Sequence, residues 1–176
     1  MLDIYTIGHS THPLELFVRM LRANGVTRLV DIRSIPRSRF NPQYEQSALI
    51  MSMPENHIEY IHMKSLGGLR HPTGASFNLG WRNASFRSYA DYMQTAAFKE
   101  GIDTLMRYAA EKPTAIMCAE ALPWRCHRSL VADALTVRGA TVLDIMDQTT
   151  TKAHSLTPFA VVDGTHITYP RENADG

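Results

Sequence analysis

The feature that most constrains the fold is the alternation of short apolar runs with longer segments of helical periodicity. Strand-like runs are predicted at residues 2–7, 27–32, 58–63, 114–118 and 140–145. In the segment after the first run, Leu14, Phe17 and Leu21 recur at helical spacing. Strands that alternate with helices predict an α/β protein with a mostly parallel sheet and helices on both faces, a three-layer sandwich of the Rossmann or flavodoxin type.

The remaining segments complete this outline. Helices are predicted at residues 44–53, 86–112 and 123–137, with Gly101 dividing the long one, and Ser10 or Thr11 is expected to cap the first helix. Asp163-Gly164 predicts the turn of a C-terminal β-hairpin. We therefore expect one domain over residues 1–170 and a polar tail over 171–176.

Charge and cysteine content exclude several classes of protein. With 18 basic and 17 acidic residues, the net charge of +1 argues against coating nucleic acid by bulk charge. Two cysteines do not make a disulfide framework, and no apolar run is long enough to span a bilayer. Because no signal peptide is visible either, we expect a cytoplasmic protein with no membrane partner. The oligomeric state is not predicted.

Polar residues and glycines follow the first four predicted strands. Ligands of such folds bind beyond the carboxyl ends of the strands, so these residues are expected to line one concave site, together with residues 126–128 of the following helix. The four segments are Gly8-His9-Ser10, Asp31-Ile32-Arg33, Leu66-Gly67-Gly68 and Cys118-Ala119-Glu120. Gly67 and Gly68 suit a close approach of the backbone to a ligand, or a simple turn.

A thiol is the candidate nucleophile of this site. Cys118 is the first choice, because a strand end presents its side chain to a ligand. Cys126 competes, since it is predicted in the first helical turn, where the helix dipole lowers the pKa of a thiol. His127, Glu120 and His9 are the candidate proton carriers. The alternatives are an inert buried cysteine, a packed histidine and an exposed carboxylate.

Arginines are expected to hold an anion at the same edge. Arg33 and Arg128 are the proposed holders, with Ser10, Asp31, Cys126 and the amides of the helix after Pro123 beside them. Arg128 at a helix start opposes the helix dipole, and such a broken local rule often marks a functional site. Arg33 is not the expected partner of Asp31, because side chains two residues apart splay in loops, although a structural salt bridge between them stays open.

Together these segments resemble the domain-of-unknown-function 488 family. The resemblance runs from Ile4 to Ile145. It rests on Gly8-His9-Ser10, the run at residues 31–38, Leu66-Gly67-Gly68, Cys118-Ala119-Glu120, Pro123 and Cys126-His127-Arg128. It implies a small α/β fold and a shared site built from those segments, and it implies no reaction.

Three functional hypotheses remain. The first is a thiol-dependent hydrolase or transferase acting on an anionic substrate, such as a nucleotide or another phosphate ester. The second is a non-catalytic domain that binds nucleotides or nucleic acid through loops bearing arginines and the aromatic residues Phe77, Trp81 and Phe86. The third is a metal or redox protein using Cys118 and Cys126, although their spacing is not a standard zinc pattern. No cofactor is predicted.

Overall fold

Strands and helices alternate through most of the computed structural model, which describes residues 2–171. The strands are β1 (Asp3–Gly8), β2 (Arg28–Asp31), β3 (Glu59–His62), β4 (Thr114–Cys118), β5 (Thr141–Ile145), β6 (Thr151–Ala153), β7 (Val161–Asp163) and β8 (His166–Thr168). The helices are α1 (Leu14–Ala23), α2 (Gln46–Glu55), α3 (Ala84–Tyr92), α4 (Ala96–Glu111) and α5 (Arg128–Val137). None of these helices is long and apolar enough to cross a membrane.

Six strands form one sheet in the order β3-β2-β4-β1-β5-β6. Strands β1 to β5 run parallel, and β6 is antiparallel to β5. Strands β7 and β8 form a separate antiparallel hairpin. The predicted α/β class and the C-terminal hairpin are therefore confirmed.

Strands β1 and β4 are neighbours in the sheet, and the connections that follow them leave in opposite directions along it. The chain moves one way along the sheet from β1 through β2 to β3, then the other way through β4 to β5. Right-handed crossovers consequently put α1 and α2 on one face and α3 to α5 on the other. The core agrees, because Phe17 packs with Leu29 on one face and Leu130 with Ile116 on the other. A crevice at the carboxyl ends beside β4 follows from this reversal.

Helix α5 is the most enclosed helix of the second face, with all residues from Arg128 to Leu135 buried. Its Asp133 carboxylate accepts hydrogen bonds from His154 Nε2, from the Thr157 hydroxyl and from the Tyr169 hydroxyl, at 2.7, 2.7 and 2.8 Å. These bonds hold the segment after β6 and the end of the hairpin against α5. A buried carboxylate is tolerated here because donors surround it.

Several predicted boundaries are wrong. The helix expected over residues 86–112 is two helices, because the Thr95 hydroxyl accepts a hydrogen bond from the amide of Phe98 and caps α4. Gly101 lies inside α4, where an added Cβ would meet Leu66 Cδ2 at 3.0 Å. Helix α1 begins at Leu14 without a side-chain cap. Strand β6 was not predicted.

The region around Pro123 also differs from the prediction. Pro123 opens only a short 3₁₀ helix, Pro123–Arg125, and α5 begins at Arg128. Cys126 and His127 therefore precede the helix rather than lying in its first turn. Apart from Arg171, the predicted tail over 171–176 lies outside the described residues.

Candidate functional site

Backbone hydrogen bonds join the polar segments at the carboxyl edge of the sheet. The amide of His9 donates to the carbonyl of Cys118, and that of Ser10 to the carbonyl of Ala119, both at 2.9 Å. These bonds extend the β1–β4 pairing beyond the last residues of both strands. The His9 and Cys118 segments therefore run side by side at this edge.

Glycines allow these segments to touch. A Cβ on Gly8 would lie 1.7 Å from the carbonyl oxygen of Glu120, so only glycine fits under the chain that follows β4. At Gly67 it would lie 2.3 Å from Ser34 Oγ, and at Gly68 2.6 Å from His127 Nδ1. These close approaches are between parts of the protein itself, not between protein and ligand.

One buried cluster surrounds Asp31. Arg33 donates two hydrogen bonds to its carboxylate, from Nε to Oδ1 at 2.9 Å and from Nη2 to Oδ2 at 2.7 Å. Tyr60 adds a hydroxyl bond to Oδ2 at 2.5 Å, and Arg33 Nη2 also donates to the carbonyl of Tyr44 at 2.8 Å. Of the two alternatives left open by the sequence, the structural salt bridge between Arg33 and Asp31 is the one present. Arg33 is occupied by this structural ion pair.

His9 completes this cluster. Its ring stacks on Tyr44 with a centroid distance of 4.2 Å. Arg33 Nη1 lies 3.4 Å from Nε2, and Nδ1 lies 2.8 Å from the carbonyl oxygen of Ser10. Because a guanidinium only donates, Nε2 accepts and Nδ1–H donates to Ser10. Burial lowers the pKa of His9 to about 4, so the ring is neutral near pH 7.

The two thiols form a second cluster, with Cys118 only 2% exposed. Burial alone would raise the pKa of Cys118, but a hydrogen bond from the Cys126 thiol and the charge of Arg128 lower it overall. The same contact, with burial, raises the pKa of Cys126 well above its ordinary value. Of the two thiols, Cys118 is therefore the one that ionises first.

Arg128 is the unusual member of this second cluster. Its side chain is only 1% exposed, and no carboxylate of residues 2–171 pairs with it. Nη2 donates to the carbonyls of Glu120 and Ala121, both at 3.3 Å, whereas Nε and Nη1 have no hydrogen-bond partner among the described residues. A buried cation without an anion is costly, so this place suits a thiolate or an anionic ligand.

His127 and Glu120 do not fit the proton-carrying roles expected of them. His127 Nε2 donates to the carbonyl of Ile32 at 2.9 Å, which leaves Nδ1 without a proton, 3.4 Å from Cys126 Sγ. Burial lowers the pKa of His127 to about 4, so it is a weak base near neutrality. The Glu120 side chain is exposed, and only its carbonyl contacts Cys118 Sγ, at 3.5 Å.

The two clusters lie on opposite faces of the sheet. Successive strand residues point to opposite faces, so Asp31 points to the α1–α2 side with Leu29, and Cys118 to the α5 side with Ile116. The expected site residues thus reach one edge without lining one concavity. The open cleft at this edge, of about 380 Å³, is lined by His9, Ser10 and Glu120 together with Arg125. In it, Ser10 adopts a left-handed backbone with φ 46°.

The expected anion site at the start of α5 is already occupied by the chain. The amide of Arg128 donates to Cys126 Sγ at 3.5 Å, that of Ser129 to the Cys126 carbonyl at 3.0 Å, and that of Leu130 to the His127 carbonyl at 2.9 Å. Any anion at this place would therefore be held by the Arg128 side chain. Across residues 2–171, no group of three or more metal-ligating side chains is present.

Sequence reasoning missed Tyr44 and Tyr60, whose polar groups complete the Asp31 cluster. Both lie in or beside predicted elements, where a tyrosine is ordinarily taken for core packing. It also missed Asp144, although a carboxylate inside the apolar run of β5 is a visible signal. Asp144 is buried, accepts a hydrogen bond from the Thr6 hydroxyl and lines a cavity together with Trp81 and Trp124.

Most of the loop residues that were expected to bind nucleic acid already contact other parts of the protein. Trp81 packs edge-on against Phe86, with ring centroids 5.1 Å apart. Arg70 lies 3.6 Å above the Tyr92 ring, and Arg87 donates to the carbonyl of Trp81 at 2.9 Å. Phe77 remains 84% exposed. The aromatic loop is thus largely part of the packing beside α3.

Fold and site together define an α/β protein with a pair of thiols at the carboxyl edge of its sheet and, beside them, a buried arginine that has no carboxylate partner among residues 2–171. A family model described as "Domain of unknown function DUF488" matches residues 13–135. The chain belongs to this family, as its resemblance predicted, and the matched range contains both clusters except His9. Neither the curated proteins nor the solved structures gave a match.

Proposed function

We propose that this protein is a thiol-dependent enzyme, a hydrolase or transferase, in which Cys118 attacks an anionic substrate held by Arg128. The observation that carries the proposal is the buried guanidinium of Arg128, which lowers the pKa of Cys118 and has no carboxylate partner in residues 2–171. A thiolate is the reactive form of cysteine, and an adjacent cation both favours it and attracts an anion.

The proposed reaction has two steps. The Cys118 thiolate forms a bond to an electrophilic carbon or phosphorus of the substrate, and the leaving group departs with its bonding electrons and takes a proton from the Cys126 thiol or from water. Water or a second acceptor then attacks the covalent intermediate, passes its proton to the Cys126 thiolate or to solvent, and releases Cys118 as thiolate. Nucleotides and other phosphate esters are the substrate class that suits Arg128.

Access to Cys118 requires residues 119–122 to move. In this segment the Glu120 carbonyl lies 3.5 Å from Cys118 Sγ, and the carbonyls of Glu120 and Ala121 accept the long bonds from Arg128. An anionic group that takes over these bonds would free the segment. The proposal therefore couples binding of the anion to exposure of the nucleophile.

The test compares a negatively charged and a neutral alkylating agent of similar size. Alkylation of Cys118 by iodoacetate and by iodoacetamide is measured by peptide mass spectrometry. We expect the rate ratio of iodoacetate to iodoacetamide to exceed that of a free cysteine peptide, and to fall to the peptide value in Arg128→Met. Arg125→Met, which removes a neighbouring exposed arginine, is the control and should keep the high ratio. A ratio equal to that of the peptide in the wild type would refute the proposal.

The contact between the thiols favours a second candidate, a redox protein that cycles between a dithiol and a disulfide. Cys118 has a lowered pKa and Cys126 a raised one, a combination suited to attack by one sulfur and resolution by the other. Treatment with hydrogen peroxide, followed by mass spectrometry without reduction, tests it. A stable Cys118–Cys126 disulfide would support this candidate, and separate sulfinic acids would refute it. Both candidates suit a reducing compartment, and we propose the cytoplasm.

A further inference from the structure

A second cavity lies on the other side of the 3₁₀ helix Pro123–Arg125. Its volume is about 360 Å³, which falls in the range of small-molecule sites. Two tryptophans and one phenylalanine contribute aromatic rings to its wall, and six of its lining residues are polar. Its lining includes Trp81, Trp124, Phe159, Ser129, Asp144 and Lys152.

The aromatic wall has one fixed and one exposed ring. Trp81 is held by ring contacts with Phe159 and Tyr169, at centroid distances of 4.9 and 5.4 Å. Its indole Nε1–H is buried and has no hydrogen-bond partner among the described residues. Trp124 is 56% exposed, with Lys152 Nζ 5.8 Å from its ring centroid. An exposed tryptophan at a cavity mouth suits stacking on a flat ring.

Asp144 is a buried acidic side chain in the wall of this cavity. It is only 5% exposed and accepts a hydrogen bond from the Thr6 hydroxyl. A carboxylate accepts two parallel N–H bonds from a planar edge, as it does from a guanidinium. Among nucleobases, guanine presents two adjacent N–H donors, N1–H and the N2 amino group, on one edge.

The cavity is adjacent to the thiol cluster. Strand pairing matches Thr6 with Asp144 and Gly8 with Cys118, so Asp144 and Cys118 share one face of the sheet. Trp124 lines the cavity, and its neighbour Arg125 lines the cleft that contains His9 and Glu120. A ligand with a flat ring at one end and an anion at the other would cross the 3₁₀ helix between them.

We propose that this cavity binds the base of a guanine nucleotide, with Trp124 stacked on the base and Asp144 accepting from its N1–H and N2–H. This inference deepens the proposed function and rests on it for the reacting end of the ligand. Binding of the base itself requires only the cavity.

The chain's two tryptophans both line the cavity, so intrinsic fluorescence reports its occupancy. The protein is titrated with GMP, guanosine, inosine and ribose 5-phosphate, at equal ionic strength. We expect GMP and guanosine to quench the fluorescence saturably and ribose 5-phosphate to leave it unchanged. Inosine, which lacks the N2 amino group, should bind about tenfold more weakly, because a paired contact to a base edge is worth that much.

Variants separate this cavity from other sites. Asp144→Asn should weaken guanosine binding about tenfold or more, and Trp124→Ala, followed by calorimetry, should weaken it more than Trp124→Phe. Phe77→Ala, an exposed aromatic on a different cavity, is the control and should bind normally. Because Asp144→Asn is buried and can perturb folding, the exposed Trp124 variants provide the second line of evidence.

The outcomes distinguish this inference from the proposed function. Cys118→Ser should lose alkylation and still bind guanosine. If guanosine and GMP do not quench the wild type at millimolar concentration, or if they bind Trp124→Ala and Asp144→Asn unchanged, the inference is overturned, whatever the reactivity of Cys118. Tight binding of guanine-rich oligonucleotides with no binding of GMP would also overturn it and would favour a nucleic-acid surface.

Discussion

Replacing Arg128 with methionine is expected to make the protein more stable while it makes Cys118 less reactive. Arg128 is buried, and two of its guanidinium nitrogens have no partner in residues 2–171. Methionine fills a similar volume, adapts to irregular gaps and carries no charge. Stability and reactivity should therefore change in opposite directions, which ordinary damage to the core would not produce.

The size of the stability change follows from the contacts of the guanidinium. A buried donor without a partner costs about 1–3 kcal/mol, so removal of Nε and Nη1 recovers about 4 kcal/mol. Loss of the two long bonds to the Glu120 and Ala121 carbonyls costs about 1 kcal/mol each. The net gain is about 2 kcal/mol, or roughly 4–8 °C in Tm for a chain of this length.

Thermal and urea unfolding at pH 6 measure this gain, with Arg125→Met as the exposed control, which should stay within about 0.5 kcal/mol of wild type. The gain should shrink as the pH rises, because Arg128 stabilises the ionised Cys118 and methionine does not. A loss of stability of 3 kcal/mol or more in Arg128→Met would refute the reasoning, since it would mean that the guanidinium is well satisfied in the folded protein.

Three further predictions concern the frame of the site. Gly8→Ala should destabilise the protein by about 3 kcal/mol in urea unfolding, because the new Cβ would meet the Glu120 carbonyl. Gly139→Ala, in open space at φ 91°, should cost about 1 kcal/mol, and equal costs for the two variants would contradict the close approach at Gly8. Tyr169→Phe should lower the free energy of unfolding by about 1–2 kcal/mol, since the buried Asp133 carboxylate loses a hydrogen-bond donor. Tyr5→Phe should lower it less, and an equal effect of the two variants would show that the bond from Tyr169 to Asp133 is unimportant. Thermal stability should fall as the pH drops from about 6.5 to about 4. Burial lowers the pKa of His9 and of His127 to about 4, so the unfolded chain binds more protons than the folded protein in this range. A His9→Gln variant whose stability depends on pH as steeply as that of the wild type would contradict the lowered pKa of His9.

The sequence predicts the buried strands and the layers of the fold better than it predicts the short edge strand and the helix boundaries. Apolar runs around Ile4, Val30 and Ile116 predict the buried strands, because a parallel sheet covered on both faces requires them. Strand β6 is short and exposed, so it has no apolar pattern and depends on pairing with β5. The break before α4 depends on a cap at Thr95, within a pattern that is otherwise continuous.

The site was predictable in its position and less so in its arrangement. The location of Cys118 and Arg128 follows from the strand-end rule. The separation of Asp31 from Cys118 follows from the alternation of side chains along each strand, but it requires the sheet order, which local pattern does not determine. The pairing of Arg33 with Asp31 depends on the turn of the chain after β2, where Tyr44 and Tyr60 enclose both side chains.

The pH dependence of Cys118 alkylation tests the central claim most directly. Wild type, Arg128→Met and Cys126→Ala are treated with iodoacetamide across pH 5–10, and the rate at each cysteine is read by peptide mass spectrometry. The proposed thiolate predicts a midpoint for Cys118 below the value of about 8.5 for a free cysteine. The midpoint should rise in both variants, because each removes a group that lowers the pKa of Cys118. A midpoint at or above 8.5 in the wild type, or alkylation confined to Cys126, would contradict the account.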